Sequence, residues 1–431
     1  MADKRVVITG IGPFACAGIG KAAFWQGILT KKTNIRTEKY SLDGQPWAEF
    51  PLHKLDGFDI SGFGIPKDKL QEIRDWKEGE EILDLNYLLA AIKLAFSDAG
   101  LDYEQDNNGI GLVLAHENLG LMDFGCKVSN LAYEMLIDRK KSEYSKKEFF
   151  NGFYRKFLKS GYDLQAFANL FHIARVFNIH DYSLFINNAC ASGLYAFEAA
   201  SEIIRCNQAK RVVIAAADHP EIYKYLWFKE LGIYSPDGKV RPFGKDSNGL
   251  VFGDGGVGIV LEDYSSAKKR KAQIYAEYLG GGFDLEGWKI TVPQIGNDSY
   301  HKAIAKALKQ AKVKKEKIDL LVPHGVGSQP IDYYEAKAIT DTFGKHPKQP
   351  LITAFKPYLG HNLGGSALLE SAALLLALKN NTIPQTLNID NLDPKFNLDL
   401  VRQNQSVKIN LAMKTCCAFA GFNSAVVFRG L

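Results

Sequence analysis

With 431 residues, 46% of them hydrophobic and 23% charged, the chain can bury a sizeable core and has room for two to three domain-sized units or one large duplicated body. A net charge of +5 is too mild to argue for nucleic acid, although a modest excess of lysine and arginine steers an acidic partner. The polar start lacks the apolar core of a secretory signal, no stretch reaches the roughly 18 to 20 uninterrupted apolar residues of a membrane span, and the six cysteines show neither disulfide-scaffold nor C-x-x-C spacing, so reduced thiols in a cytoplasm are expected.

Short β-branched or apolar runs alternate with helical patterns from end to end, which implies an α/β protein with buried sheets. Residues 5–9 open as a strand and run into Gly10-Ile11-Gly12-Pro13-Phe14-Ala15, a loose G-x-G-x-x-A dinucleotide fingerprint. A true fingerprint opens a helix on its second glycine and closes a second strand with an acidic residue about 20 positions later. Pro13 follows that glycine instead, and residues 31–39 are basic, polar and not strand-like. A glycine-rich strand-to-helix turn without a cofactor is therefore expected. Further strands are predicted over 110–114, 182–186, 211–217, 257–261, 318–322, 351–354 and 425–428, and helices over 84–99, 192–206, 299–311, 332–343 and 366–378. Charged, aromatic residues near 138–160 predict an inserted helical excursion, either solvated or available to a partner. The basic run 268–271, between the strand patterns 257–261 and 274–278, predicts a charged hairpin tip.

Four segments carry chemistry. The strand 182–186 leads into Asn187-Asn188-Ala189-Cys190-Ala191-Ser192-Gly193 and then a helical pattern, so Cys190 sits at a helix N-terminus, where free backbone N–H groups and the macrodipole favour a thiolate nucleophile. On that turn alone, a buried thiol acting as a small apolar group fits as well. Two histidines shift the balance. His324 closes a strand ahead of Gly325-Val326-Gly327-Ser328, and His361 lies in Lys356-Pro357-Tyr358-Leu359-Gly360-His361; both turns can project an imidazole into a cleft, and two N–H donors converging on one oxygen stabilise an enolate or oxyanion. Lys356 and Glu335 form a candidate ion pair between the two loops. The small residues around Phe419, in Cys417-Ala418-Phe419-Ala420-Gly421-Phe422-Asn423, let backbone N–H groups approach a substrate closely.

Together with Arg241-Pro242-Phe243 and Gly253-Asp254-Gly255-Gly256, these blocks occur in the order that resembles the β-ketoacyl-acyl carrier protein synthases of the thiolase superfamily. The resemblance implies a five-layered αβαβα thiolase fold with two pseudo-equivalent halves, 1–265 and 266–431, and a homodimer or a heterodimer with a related ketosynthase-like subunit. Carried over position by position, Cys190 matches the acylated nucleophile, His324 and His361 the histidines of decarboxylation, Lys356 and Glu335 their companions, and Phe419 the gate whose amide joins that of Cys190 in an oxyanion hole. Ser328, Val326, Tyr225 and Phe422 fall at substrate-binding positions. The implied activity is decarboxylative condensation with malonyl-acyl carrier protein in fatty acid, polyketide or polyene synthesis. No metal or tightly bound cofactor is implied, the phosphopantetheine arriving on acyl carrier protein. A non-catalytic partner subunit and a degradative thiolase are the alternatives. Val326, Ala420 and Phe422 depart from the family pattern, which bears on the pantetheine arm and the gate.

Overall fold

The computed structural model describes residues 4–42, 44–76, 83–103, 109–117, 165–219 and 221–431, with isolated positions between 118 and 164; the excursion near 138–160 lies outside the described residues. The main sheet is built from β-branched and small residues in ten principal strands: β1 (Val6–Ala15), β2 (Ile110–Ala115), β3 (Ser183–Ile186), β4 (Arg211–Asp218), β5 (Gly255–Asp263), β6 (Ala276–Leu285), β7 (Leu320–Val322), β8 (Leu351–Ile352), β9 (Leu411–Cys417) and β10 (Phe422–Gly430). They stand in the order β8-β7-β9-β10-β6-β1-β5-β4-β2-β3, with a short strand, Gly18–Ile19, paired to β1.

That order is a duplication. Taken in chain order, the five strands of each half stand 3-2-4-5-1 from edge to centre. The pairing senses repeat as well. In the first half β2 is parallel to β3 and β4, while β5 is antiparallel to β4 and β1. In the second half β7 is parallel to β8 and β9, while β10 is antiparallel to β9 and β6. The antiparallel pair β1 and β6 joins the halves.

Helices α1 (Leu83–Ala99) and α2 (Ala166–Phe177) cover the outer face of the first half, and α4 (Ser299–Ala311) and α5 (Gln329–Phe343) that of the second. Between the halves lie α3 (Ser192–Arg205) and α6 (Ser366–Asn380), which touch each other and strands of both. The result is the five-layered thiolase fold. Because α6 has sheet on both sides, its residues 366–378 are all buried, each leucine contributing about 2 kcal/mol of apolar transfer.

Three local expectations are corrected. Gly10 and Gly12 lie inside β1 and not in a turn. Their job is close approach: a Cβ at Gly10 would meet Ala95 O at 2.4 Å, and one at Gly12 would meet Ala95 N at 2.5 Å, so only glycine lets α1 pack on the strand. Residues 31–39 do enter a strand, Ile35–Leu42, which pairs antiparallel with Gln45–His53; its charged side chains belong to a partly solvated ribbon. The basic run 268–271 follows no hairpin. Asp263 caps a short helix, Tyr264–Lys269, by accepting from Ser266 N, and β5 and β6 then flank β1 on opposite sides. Among the described residues no helix is long and apolar enough to cross a membrane.

Candidate active site

The loop after β3 turns sharply. Ala189 is left-handed, with φ 50°. The Ser192 hydroxyl accepts from Asn188 N at 2.8 Å and donates to Ala189 O at 2.6 Å, and α3 begins after Ala191 as N-cap. Cys190 thus reaches the N-terminal end of α3 as expected, but the expected lowering of its pKa is not found. Burial pushes the thiol well above the ordinary cysteine value, Glu117 and Cys416 push the same way, and Lys356 opposes them. The lost hydration of a thiolate is the largest cause, and the Cys190 backbone N–H joins Lys356 in opposing it.

His324 follows β7 on a turn held by Glu335. That carboxylate, buried on α5, accepts from His324 N and Gly325 N at 2.7 Å each, from the Tyr300 hydroxyl at 2.6 Å and from the Thr415 hydroxyl at 3.2 Å. Lys356 donates to His324 O at 2.6 Å and to Glu370 Oε1 at 2.5 Å, and lies 3.3 Å from His324 Nδ1. The suggested Lys356–Glu335 ion pair is therefore not made. Glu335 is committed to backbone amides and hydroxyls, and Glu370 on α6 takes the ammonium. His361 is fixed by its own backbone, since its N donates to Val251 O at 2.7 Å and its O accepts from Gly253 N at 3.1 Å. A Cβ at Gly253 would fall 1.8 Å from Leu359 O, so this approach requires glycine.

The two imidazoles stand edge to face, 5.5 Å between centroids at 87°. His361 Nδ1 accepts from Leu363 N at 3.0 Å, and His324 Nδ1 faces the Lys356 ammonium. With both Nδ1 atoms occupied by donors, the proton of each neutral ring is assigned to Nε2. Burial, then Lys356, His361 and Lys414, hold His324 well below the ordinary histidine value. Burial, then Lys356, hold His361 down at about 3. Burial also works against the charge of Lys356, but Glu370 and then Cys416 outweigh it and keep the ammonium above the ordinary lysine value.

Cys190, His324 and His361 line one cleft of about 540 Å³, open mouth included, together with Val326, Ser328 and Phe419. Phe419 stacks on Phe228 at 5.4 Å and meets Trp227 edge-on at 5.7 Å. Its loop is tied to the segment after β6, with Ala420 N donating to Ile290 O at 2.6 Å and Glu286 N to Gly421 O at 2.9 Å. Ser328 serves as N-cap of α5. Two proposed substrate residues lie elsewhere. Tyr225 stacks on Phe50 at 4.3 Å and abuts Tyr234 at 4.9 Å, leaving Phe228 of the same helix on the cleft wall. Phe422 opens β10 and packs against Tyr195 at 6.0 Å.

Sequence reasoning missed Glu370 and Lys414, a buried pair 2.7 Å apart behind the histidines. The signal was a lone charge within the buried run 366–378 of α6 and within the buried strand β9. It also missed Asp332, pushed up to about 8 by burial, which accepts from Phe243 N at 2.7 Å and Gly327 N at 3.1 Å. Among the described residues, Asp84, His116 and Asp218 are grouped as a metal ion would require, their ligand atoms within 4.8 Å of one another. The Lys224 ammonium, 2.6 Å from Asp218 Oδ1, already supplies a positive charge there.

A thiol at a strand-to-helix turn and two neutral imidazoles, converging from the two halves of a thiolase fold, define the condensing-enzyme class. The chain belongs to the β-ketoacyl synthase family: residues 3–267 match the profile "Beta-ketoacyl synthase, N-terminal domain" and residues 275–390 match "Beta-ketoacyl synthase, C-terminal domain". It is 26% identical to the 3-oxoacyl-[acyl-carrier-protein] synthase 2 of Coxiella burnetii, covering 99% of each chain. It is 28% identical to the tetracenomycin polyketide synthase ketoacyl synthase alpha subunit of Streptomyces glaucescens, covering 99% of this chain and 97% of that protein. Among solved structures it is similar to the ishigamide ketosynthase/chain length factor, with a TM-score of 0.83 and 26% identity over 100% of both chains.

Proposed function

We propose that this chain is a catalytically competent β-ketoacyl synthase that joins a Cys190-bound acyl group to the two-carbon unit of malonyl-acyl carrier protein. The observation that carries the reading is the convergence of Cys190 with two imidazoles whose Nδ1 atoms are both engaged, so that Nε2–H remains on each as a donor.

In the first half-reaction the Cys190 sulfur attacks the thioester of acyl carrier protein. The amides of Cys190 and Phe419 stabilise the tetrahedral oxyanion. The proton leaving Cys190 is the one the departing pantetheine thiol requires, so the exchange balances. Val326 and Ser328 border the pantetheine arm with a single hydroxyl between them. In the second, malonyl thioester loses carbon dioxide, and the charge that develops on its carbonyl oxygen is met by the Nε2–H groups of His324 and His361. Neutral rings suit this role, because a donor is needed and no proton has to be released. Enolate carbon then attacks the Cys190 thioester, the carbon-carbon bond forms, and the Cys190 thiolate leaves and takes up one proton from solvent, which balances the loss of the malonyl carboxylate as carbon dioxide. Neither half-reaction changes oxidation state, so no redox cofactor is called for.

The partner is acyl carrier protein, with the chain working in the cytoplasm as a homodimer or beside a related subunit. The ketosynthase/chain length factor likeness supports a heterodimer, and the retained thiol and both histidines support the catalytic role within it over that of a silent partner. The test is direct: purified protein is supplied with acyl- and malonyl-acyl carrier protein, and carbon dioxide release and intact mass are followed. Acylation of Cys190 and stoichiometric carbon dioxide are expected; absence of both sinks the enzyme reading.

A further inference from the structure

Lys414 lies on β9 among apolar and small neighbours and is fully buried. Its ammonium donates to Pro323 O at 2.8 Å and to Thr415 O at 3.0 Å, and sits 2.7 Å from Glu370 Oε2 as an ion contact. Glu370 gives its other oxygen to Lys356 and to the Ser366 hydroxyl, the latter at 2.8 Å. Lys356 in turn donates to His324 O. The contacts therefore run from Lys414 through Glu370 and Lys356 to His324, and Lys414 closes the ring by holding Pro323, the residue before His324.

A buried ammonium is costly unless its protons find acceptors. Lys356 alone would neutralise Glu370, so the second lysine is not needed for charge balance on that carboxylate. It places a second positive charge behind the two imidazoles, and its contacts, to Pro323, Thr415 and Glu370, include none with Cys190. We propose that Lys414 is a positioning residue for the decarboxylation step, anchoring Glu370 and the Pro323 carbonyl so that Lys356 keeps His324 turned with its Nε2–H toward the cleft. This rests on the reading of His324 as an enolate donor. A mere strut in the core would instead affect both half-reactions alike.

The test uses Lys414→Met, which keeps the volume and removes the charge, and Lys414→Gln, which also keeps amide donors for the two carbonyls. Carbon dioxide release from malonyl-acyl carrier protein and acylation of Cys190 are measured separately in the intact protein. Carbon dioxide release is expected to fall at least about tenfold in kcat, while its KM and Cys190 acylation stay within about twofold. The acid side of the carbon dioxide profile is expected to move up by about one pH unit, because a cation near His324 has gone. A parallel fall in both half-reactions with an unmoved profile, or no change in either, overturns the proposal. If the Met variant does not fold, the Gln variant decides by the same readouts. Wild-type protein lacking both half-reactions would sink the condensing function itself, whereas active wild type with unaffected variants sinks only the role of Lys414.

Discussion

The two halves share strand order and pairing, yet the ends of their equivalent strands carry opposite electrostatics. In the first half the edge strand β3 leads to Cys190, a thiol kept protonated by burial, and β2 leads to His116, whose Nε2 lies 3.6 Å from an Asp84 carboxylate oxygen. In the second half the edge strand β8 leads to Lys356, an ammonium kept charged by Glu370, and β7 leads to His324, whose Nδ1 faces that ammonium. The same backbone thus presents a histidine to carboxylates on one side and to a cation on the other. Duplication supplies converging strand ends; the charge placed behind each end sets what it can do. A histidine backed by lysine stays neutral and donates, which is the property an enolate requires.

The sharpest way to break this division is to remove one side at a time. Cys190→Ala is expected to lower condensation by about a thousandfold or more while leaving malonyl decarboxylation measurable. His324→Ala and His361→Ala are expected to lower carbon dioxide release by about a hundredfold or more while Cys190 still takes an acyl group. Intact mass for the adduct and carbon dioxide for the second step read the two separately. Loss of both steps in every variant would mean that the halves do not divide the chemistry.

Next in size is the support of the second half. Glu335→Ala leaves His324 N, Gly325 N and the Tyr300 hydroxyl without their acceptor in a site closed to solvent. A loss of about 3 to 5 kcal/mol in urea unfolding is expected. A change below about 1 kcal/mol would show that water replaces the carboxylate.

The pH dependence compares the halves directly. His361 protonates only near 3, and protonation puts a hydrogen on Nδ1 against Leu363 N. Decarboxylation should therefore hold a plateau from about pH 8 to about pH 5, where an ordinary histidine would already be cationic. Cys190 moves the other way. Its alkylation by iodoacetamide should keep accelerating above about pH 9, since burial disfavours the thiolate. An alkylation rate already level by about pH 8 would mean that the α3 terminus prevails over burial.

How much of this the sequence disclosed follows from what each residue borders. Strands such as β2 and β4 and helices such as α4 are apolar on the face they bury, and their limits were legible to within a residue or two. The ribbon Ile35–Leu42 was not, because its charged side chains face water, and core residues of the pair such as Phe50 and Leu52 lie on its partner strand. Cys190, His324, His361 and Phe419 were legible because glycines and strand ends frame them. Which carboxylate holds Lys356 was not, since Glu335 and Glu370 both lie on helices within reach, and only packing shows that Glu335 is taken by amides. Tyr225 and Phe228 lie one helical turn apart, so a small error in assigning the inward face exchanges cleft wall for core.

The smallest expected effect lies at the gate. Ala420 holds a left-handed backbone, φ 60°, while its N donates to Ile290 O. An alanine pays about 1 to 2 kcal/mol for that conformation, whereas a glycine adopts it freely but loses about 0.5 to 1 kcal/mol more entropy on folding. The two nearly cancel, so Ala420→Gly should shift unfolding by no more than about 1 kcal/mol, toward stability. The hydrogen bond to Ile290 survives the change, and with it the tie between the gate and the segment after β6. A clear loss of stability would show that the Ala420 methyl packs in a way its backbone strain conceals.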